Sequence, residues 1–317
     1  MRLDHPIFHR PHEVQLDLDE FTPPAAYRDA DGTRPAGKLP CWRVFDQRLS
    51  VENLLEVGSV CFETDFEDSP DAEWISGGVS SKPRTAMALG RQGNFFQWGF
   101  AGDPAQMTPS ARLVFVNAIC FMKDFDGHFP LVQGSGLTRE CVDGWLEIAQ
   151  STWEKEGEER AIHALAKGFG WHLLELAGAA DGPIERRIET LRAWLREHAG
   201  FLHPDKFPGE YVHLLPDADL VALGAPNREH AFFARLFERW RVDPTDALAW
   251  RLLKRYVSSE TYAPFSSAAE FSTWYATNRV YLFFSDSGGF QWQVDLHARA
   301  RDQRRAAERA KDEPKPR

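Results

Sequence analysis

No apolar run in this chain approaches the roughly 20 residues that span a bilayer. The opening Met1-Arg2-Leu3-Asp4-His5-Pro6 also lacks the apolar core of an export signal. Read as written, the chain is expected in the cytoplasm; a true start upstream of Met1 would make it an exported protein. Clustered positive charge is missing too. The net charge is −10, and the one basic-rich stretch, 299–317, interleaves Arg301, Arg304, Arg305 and Arg309 with Asp302, Glu308, Asp312 and Glu313. Duplex binding needs Lys and Arg gathered to displace phosphate counterions. No nucleic-acid partner is therefore expected, and the tail reads as a solvated helix fading into a disordered end. Cysteine is sparse: Cys41, Cys61, Cys120 and Cys141 stand apart with no CxxC pair. Cys120 lies in an apolar run, so buried thiols are expected, and one disulfide is allowed but not required. Tyrosine is the scarce aromatic, six against 23 Phe and 11 Trp. Such rings bury large areas, so the surplus is read as core between elements rather than as a ligand platform.

The catalytic signatures are absent as well. Neither a GxxxxGK[ST] phosphate loop nor a GxGxxG turn occurs. Gly134-Ser135-Gly136 is not a nucleophile elbow, which needs G-x-S-x-G between a strand and a helix. Ser80, Ser81 and Lys82 sit together, but Pro83 follows and the S-x-x-K spacing is missing. His5, His9 and His12 form the one histidine cluster, with Asp4 or Glu13 as a carboxylate nearby. Prolines at 6 and 11 prevent a helix from aligning the rings, and no HExxH pattern appears. A proline-rich arm pinned to a sheet edge is the favoured reading, with metal binding kept as an alternative. The acidic run Glu63, Asp65, Glu67, Asp68, Asp71 and Glu73 lacks the ligand spacing of a calcium loop. Asp124-Phe125-Asp126-Gly127 mimics only the middle of such a loop, with Gln133 where the closing Glu belongs. His172 and Glu175 share a helix face, an arrangement that reads as a surface pair. His203-Pro204-Asp205-Lys206 reads as a turn by composition.

What the chain does contain is a fold. Apolar residues make up 43 % and charged residues 26 %, enough apolar side chain for a real core. Residues 1–40 read as an extended arm with one short alternating run, Val14-Gln15-Leu16-Asp17-Leu18. Strands are predicted at 42–45, 57–62, 74–79, 85–89 and 95–100, the last two joined through Gly90-Arg91-Gln92-Gly93-Asn94. A helix starts at Thr108-Pro109 and ends at Asp126-Gly127; its body, 113–122, is apolar nearly all round and is expected to be buried. The period then changes. Helices are predicted at 138–153, 158–177, 184–199, 227–241, 244–257 and 267–278. Asn227 and Asp243-Pro244 serve as start signals, and Ser267-Ala268-Ala269-Glu270 as a capping box. A β-hairpin follows at 280–294, where Phe290, Trp292 and Val294 alternate.

Three stretches together resemble a known family. Asp4-His5-Pro6-Ile7, then ALGRQGNFFQWGF at 88–100, then LVFVNA at 113–118 are similar to the closing half of trehalose-utilisation-type, glutamine-amidotransferase-like domains, over about residues 1–125. In that family a DHPI stretch precedes a strand pair around a GxGRVF-like turn and a helix carrying xNAI. Here Asn117-Ala118-Ile119 matches the helix, and 90–96 matches the strand pair. The resemblance implies an α/β scaffold but transfers no catalytic residue, because neither G-x-C-x-G nor His-x-Glu is present. The family's nucleophile-bearing half would lie upstream of Met1. The stretch NREHAFFARLFERW and the hairpin after it resemble the ends of bacterial helical-repeat proteins of unknown function, which carries no activity.

The expectation is thus an α/β or α+β region at 1–127 with one buried helix, a mainly helical domain at 128–297 closed by the hairpin, and a charged tail at 298–317. No catalytic, cofactor or metal residue is assigned. A non-catalytic binding or scaffold role with a protein or carbohydrate ligand ranks first. A hydrolase or sugar-related enzyme on an amidotransferase-like fold ranks second, and a metal-binding protein using the N-terminal histidines third.

Overall fold

The computed structural model describes residues 1–23, 27, 35–45, 59–62, 68–79, 86–133, 137–205, 212–258 and 265–312. Contacts divide the chain into two units, Met1–Leu131 and Val132–Arg317.

The first unit is strand-rich. A 3-10 turn at Pro6–Phe8 is capped by His5, whose side chain accepts the Ile7 N–H. Strands β1 (Leu18–Phe21) and β2 (Leu39–Trp42) form one antiparallel pair. Strands β3 (Ala72–Gly77), β4 (Met87–Gln92) and β5 (Phe95–Trp98) form an antiparallel meander. The predicted 85–89 strand thus continues to Gln92, and the connection narrows to Gly93-Asn94. Gly93 takes φ +54°, and a Cβ there would lie 2.5 Å from the His128 carbonyl oxygen, so only glycine fits. Of the predicted strand 42–45, Trp42 closes β2 while Phe45 makes a single bridge to Met107; Cys61 bridges Met87 in the same way. Residues 57, 58 and 85 lie outside the described residues.

Helix α1 (Pro109–Met122) begins as its sequence dictates, with the Thr108 hydroxyl accepting the Ala111 N–H and Pro109 in the first turn. The expectation of burial all round fails. Ser110, Ala111, Val114, Asn117 and Ala118 form the buried stripe, whereas Leu113, Val116 and Ile119 are 37, 42 and 55 % exposed. Cys120, expected to be buried, is also exposed. The buried positions follow i, i+3, i+4, i+7 spacing, the width one helix face can present to a single neighbour. Beyond that stripe Phe115 packs on Trp98 and Phe121 on His5 and Phe125, which leaves Leu113, Val116 and Ile119 as the open side. The core here joins Ile7, Phe8, Val14, Ile75 and Leu89 to Val114 and Ala118, with Val44, Met107 and Ala111 in a smaller cluster.

The second unit is mainly helical: α2 (Cys141–Glu156), α3 (Glu158–Phe169), α4 (Trp171–Leu176), α5 (Ile184–His198), β6 (Leu202–Asp205), β7 (His213–Pro216), α6 (Ala218–Leu223), α7 (Ala231–Val242), α8 (Ala247–Tyr256), α9 (Ala268–Asn278), β8 (Leu282–Ser285), β9 (Gln291–Val294) and α10 (Leu296–Asp312). The single helix expected at 158–177 breaks at Gly170, whose φ of +77° no helix interior accommodates. The strand pair β6–β7 replaces the turn read at 203–206; its prolines, Pro204 and Pro216, are tolerated because a two-stranded sheet is all edge. Helix α7 starts at Ala231 rather than at Asn227. Helix α8 starts after Asp246, whose carboxylate accepts the Ala249 N–H at 2.8 Å, because Asp243 instead closes a local turn onto Thr245. Ser267 caps α9 through the Glu270 N–H, and the Glu270 carboxylate returns to Ser266 rather than to Ser267.

Two hydrophobic clusters fill this unit. One gathers α2, α3, α4 and α5 around Leu146, Leu165, Phe169 and Leu191; the other gathers α6, α7, α8 and α9 around Phe232, Phe233, Leu252 and Phe271. The terminal hairpin serves both: Phe290 belongs to the first cluster and Trp292 to the second. Phe290 holds φ +58°, a conformation costing a non-glycine residue roughly 1–2 kcal/mol, and its ring is fully buried in return.

Candidate binding cleft

Strands β1, β2 and β3 position a cleft in the first unit. Register sets Leu18 opposite Trp42 and Phe21 opposite Leu39. The cleft holds about 400 Å³, and its walls include Phe21, Trp42, Phe45, Trp74 and Phe100, with Tyr27 and Val44 also lining it. Trp42 is fixed by its indole N–H, which donates to Ser110 Oγ at 3.1 Å, and by edge contacts to Phe8 and Phe100 at 6.5 and 5.9 Å. Among the described residues that line it no side chain carries a carboxylate, imidazole, ammonium or guanidinium group, while Met1 and Cys41 also reach its wall. Ser76 turns its hydroxyl onto the Gly77 carbonyl at 2.9 Å. Such a lining offers ring faces and backbone polar groups, but no acid–base couple.

The histidines of the arm are not brought together. His5 is buried, its Nδ1 accepting the Ile7 N–H; that leaves Nε2 to carry the proton, 3.3 Å from Glu73 Oε1 but not aligned for a hydrogen bond. The neighbouring His5, helped by Arg91 and Arg2, holds the Glu73 carboxyl down at about 2 against the opposing effect of burial. Arg91 also lies over the Phe125 ring, 3.7 Å from its centroid. His9 instead pairs with Glu13 at 2.7 Å and with the Leu3 carbonyl at 2.8 Å. His12 offers its backbone: Asn117 accepts the His12 N–H at 3.1 Å and donates to the Ile7 and His12 carbonyls at 2.9 and 2.7 Å. Fully buried Asn117 therefore pins the DHPI arm to α1. Among the described residues no group of three or more His, Cys, Asp or Glu side chains is placed to hold a metal.

The acidic run is likewise dispersed. Asp71 accepts the Ser69 hydroxyl at 2.5 Å and the Leu131 N–H at 3.0 Å, and Glu73 faces His5. Glu63, Asp65 and Glu67, the Ser80-Ser81-Lys82 group and Gly134-Ser135-Gly136 lie outside the described residues. His172 and Glu175 are 3.8 Å apart and exposed. Among the described residues, which include all four cysteines, no disulfide forms.

Sequence reasoning missed the densest polar assembly, in the second unit. Arg139, just before α2, is buried against Asp286 of the hairpin loop; its guanidinium also donates to Asn227 Oδ1 at 2.6 Å and to the Ala199 and Leu202 carbonyls at 2.8 and 3.1 Å. The guanidinium lies 4.6 Å from the Phe290 ring centroid. Burial pulls the Arg139 pKa below its ordinary value despite Asp286. The Asn227 carbonyl accepts the Trp292 indole N–H at 2.6 Å. A second group centres on buried Asp217, which accepts the Tyr256 hydroxyl at 2.7 Å, Arg255 at 2.5 Å and the Asp219 N–H at 2.8 Å. Burial and this contact with Asp217 raise the Tyr256 pKa above its ordinary value. These groups are spent on one another and on backbone carbonyls, the pattern of fold-holding networks. Arg139 and Asp286 are 147 positions apart, and no local pattern joins them.

Compared with protein-family models, curated proteins and solved structures, the chain matches none.

Proposed function

We propose that this is a non-catalytic binding protein whose first unit takes a small, predominantly apolar or aromatic ligand in the β1–β2–β3 cleft. The carrying observation is the cleft's chemistry: about 400 Å³ walled by Trp42, Trp74, Phe45 and Phe100, with no carboxylate, imidazole, lysine or arginine side chain among the described residues lining it. That volume lies within the usual range of small-molecule sites. A carbohydrate would ask for side-chain partners for its hydroxyls, which this lining supplies sparingly; an apolar ligand asks for none. The hydrolase reading needs convergent polar side chains in a cleft, and the described lining of this one supplies neither a carboxylate nor an imidazole. The amidotransferase-like resemblance remains a proposal about the ancestry of this scaffold. It draws support from Asn117, which joins two of the stretches that carry the likeness.

Fluorescence titration with the neutral dye N-phenyl-1-naphthylamine tests the reading. Saturable binding at one site, weakened about tenfold (roughly 1.4 kcal/mol) in Trp74→Ala, is expected. Absence of saturable binding, or wild-type affinity in Trp74→Ala, would overturn it.

A further inference from the structure

The segment 199–203, which leads into strand β6, is where the two hydrophobic clusters of the second unit are fastened together. Arg139 donates to the Ala199 and Leu202 carbonyls. Asn227 donates its backbone N–H to Gly200 O at 3.0 Å and its side chain to Leu202 O at 3.3 Å, and the Asp217 N–H reaches Phe201 O at 2.9 Å. The next side chain along is His203. Its ring meets Tyr256 of the second cluster edge-on at 5.2 Å and Phe290 of the first at 6.1 Å. Its Nδ1 is shielded from solvent and has no hydrogen-bond partner.

We propose that His203 is an acid-operated latch: the neutral ring holds the two halves of the helical unit together, and its protonation releases them. A proton on Nδ1 faces no acceptor, so the added N–H is buried without a partner. The new cation would also stand near two guanidiniums, Arg255 from α8 and Arg139 from the segment ahead of α2. The carboxylates facing it compensate poorly: Asp217 already serves Tyr256, Arg255 and the Asp219 N–H, and Asp205 sits at the exposed end of β6. The remaining titratable neighbour, Tyr256, keeps its proton. Consistent with this geometry, burial first and Arg255 second hold the His203 pKa below its ordinary value.

The sign follows directly. A histidine held neutral in the fold binds its proton more readily in the unfolded chain, so the latch is closed above pH 6.5. It loosens as pH falls from 6.5 toward the lower folded pKa. One proton of difference raises the unfolding constant of this unit about tenfold per pH unit across that window. His172, exposed at the start of α4 and outside both clusters, is the control; His230, its pKa also lowered by burial and then by Arg279, adds a slope of its own.

The experiment is urea unfolding of the full chain from pH 7.5 to 5, read by near-ultraviolet circular dichroism. The wild-type and His172→Gln midpoints should fall together below pH 6.5, while His203→Gln falls less steeply. A flat wild-type profile, or a His203→Gln slope equal to wild type, would overturn the latch. Should His203→Gln not fold, histidine NMR titration of the wild type decides. Titration of His203 below 6.5, in step with release of the Tyr256 and Phe290 ring signals, supports the latch; titration at 6.5 or above, with those rings undisturbed, refutes it.

Discussion

Trp292→Ala should be among the most damaging single substitutions in the second unit. Trp292 is 3 % exposed, and its ring lies within 5.0 Å of Phe233, 4.9 Å of His230 and 5.7 Å of Phe284, measured between centroids. Truncating a buried tryptophan costs roughly 3–5 kcal/mol. The indole N–H also satisfies the buried Asn227 carbonyl, and stranding that acceptor adds about 1–3 kcal/mol. At about 2–4 °C per kcal/mol for a unit of this size, the melting temperature should fall by on the order of 10–30 °C in scanning calorimetry. Trp292→Phe keeps most of the ring contacts and loses the N–H, so it isolates the second contribution, a drop of a few degrees. Trp98 provides the contrast. Its Nε1 is buried without an acceptor, so Trp98→Phe removes an unsatisfied donor and should leave stability level or slightly raised. A loss under about 3 °C in Trp292→Ala, well below what that burial implies, would refute the argument. So would a Trp98→Phe loss as large as that of Trp292→Phe.

Three other expectations follow from the same physical terms. Arg139→Met removes the guanidinium from half-buried Asp286, which keeps the Arg139 backbone N–H at 3.0 Å, and should cost about 1–3 kcal/mol in urea unfolding; adding Asp286→Leu should recover part of that loss, and an additive loss would deny the coupling. The Glu73 carboxyl, held at about 2 against 4.5 in the unfolded chain, stabilises the first unit fully above pH 4.5 and progressively less as pH falls toward 2. Acid titration of stability should therefore flatten over that window in Glu73→Gln. Gly93→Ala combines a left-handed φ with a Cβ placed 2.5 Å from the His128 carbonyl oxygen; a loss of about 2 kcal/mol or more is expected by chemical denaturation, and a neutral outcome would mean the turn relaxes freely.

What the sequence determined by itself was local. Thr108-Pro109 opens α1, Ser267 caps α9, and alternation at Phe290, Trp292 and Val294 announces the closing hairpin, because caps, first-turn prolines and period-two patterning act over a few residues. The strand-rich first region followed by a mainly helical one was legible for the same reason. The candidate cleft was not legible: Phe21, Trp42, Trp74 and Phe100 come from separate strands and loops, and surplus aromatics read simply as core. Tertiary structure alone decided which apolar residues of α1 are covered, since a helix hydrophobic on every face does not say which face meets the sheet. It turned Asn227 from an expected helix cap into the acceptor for Arg139, and His203 from a turn residue into the wedge between two clusters. It also gathered Arg139, Asn227 and Asp286 at one point, with separations of 88 and 147 positions from Arg139. A buried charge finds its partner through the fold of the whole unit, and no short-range pattern records where that partner lies.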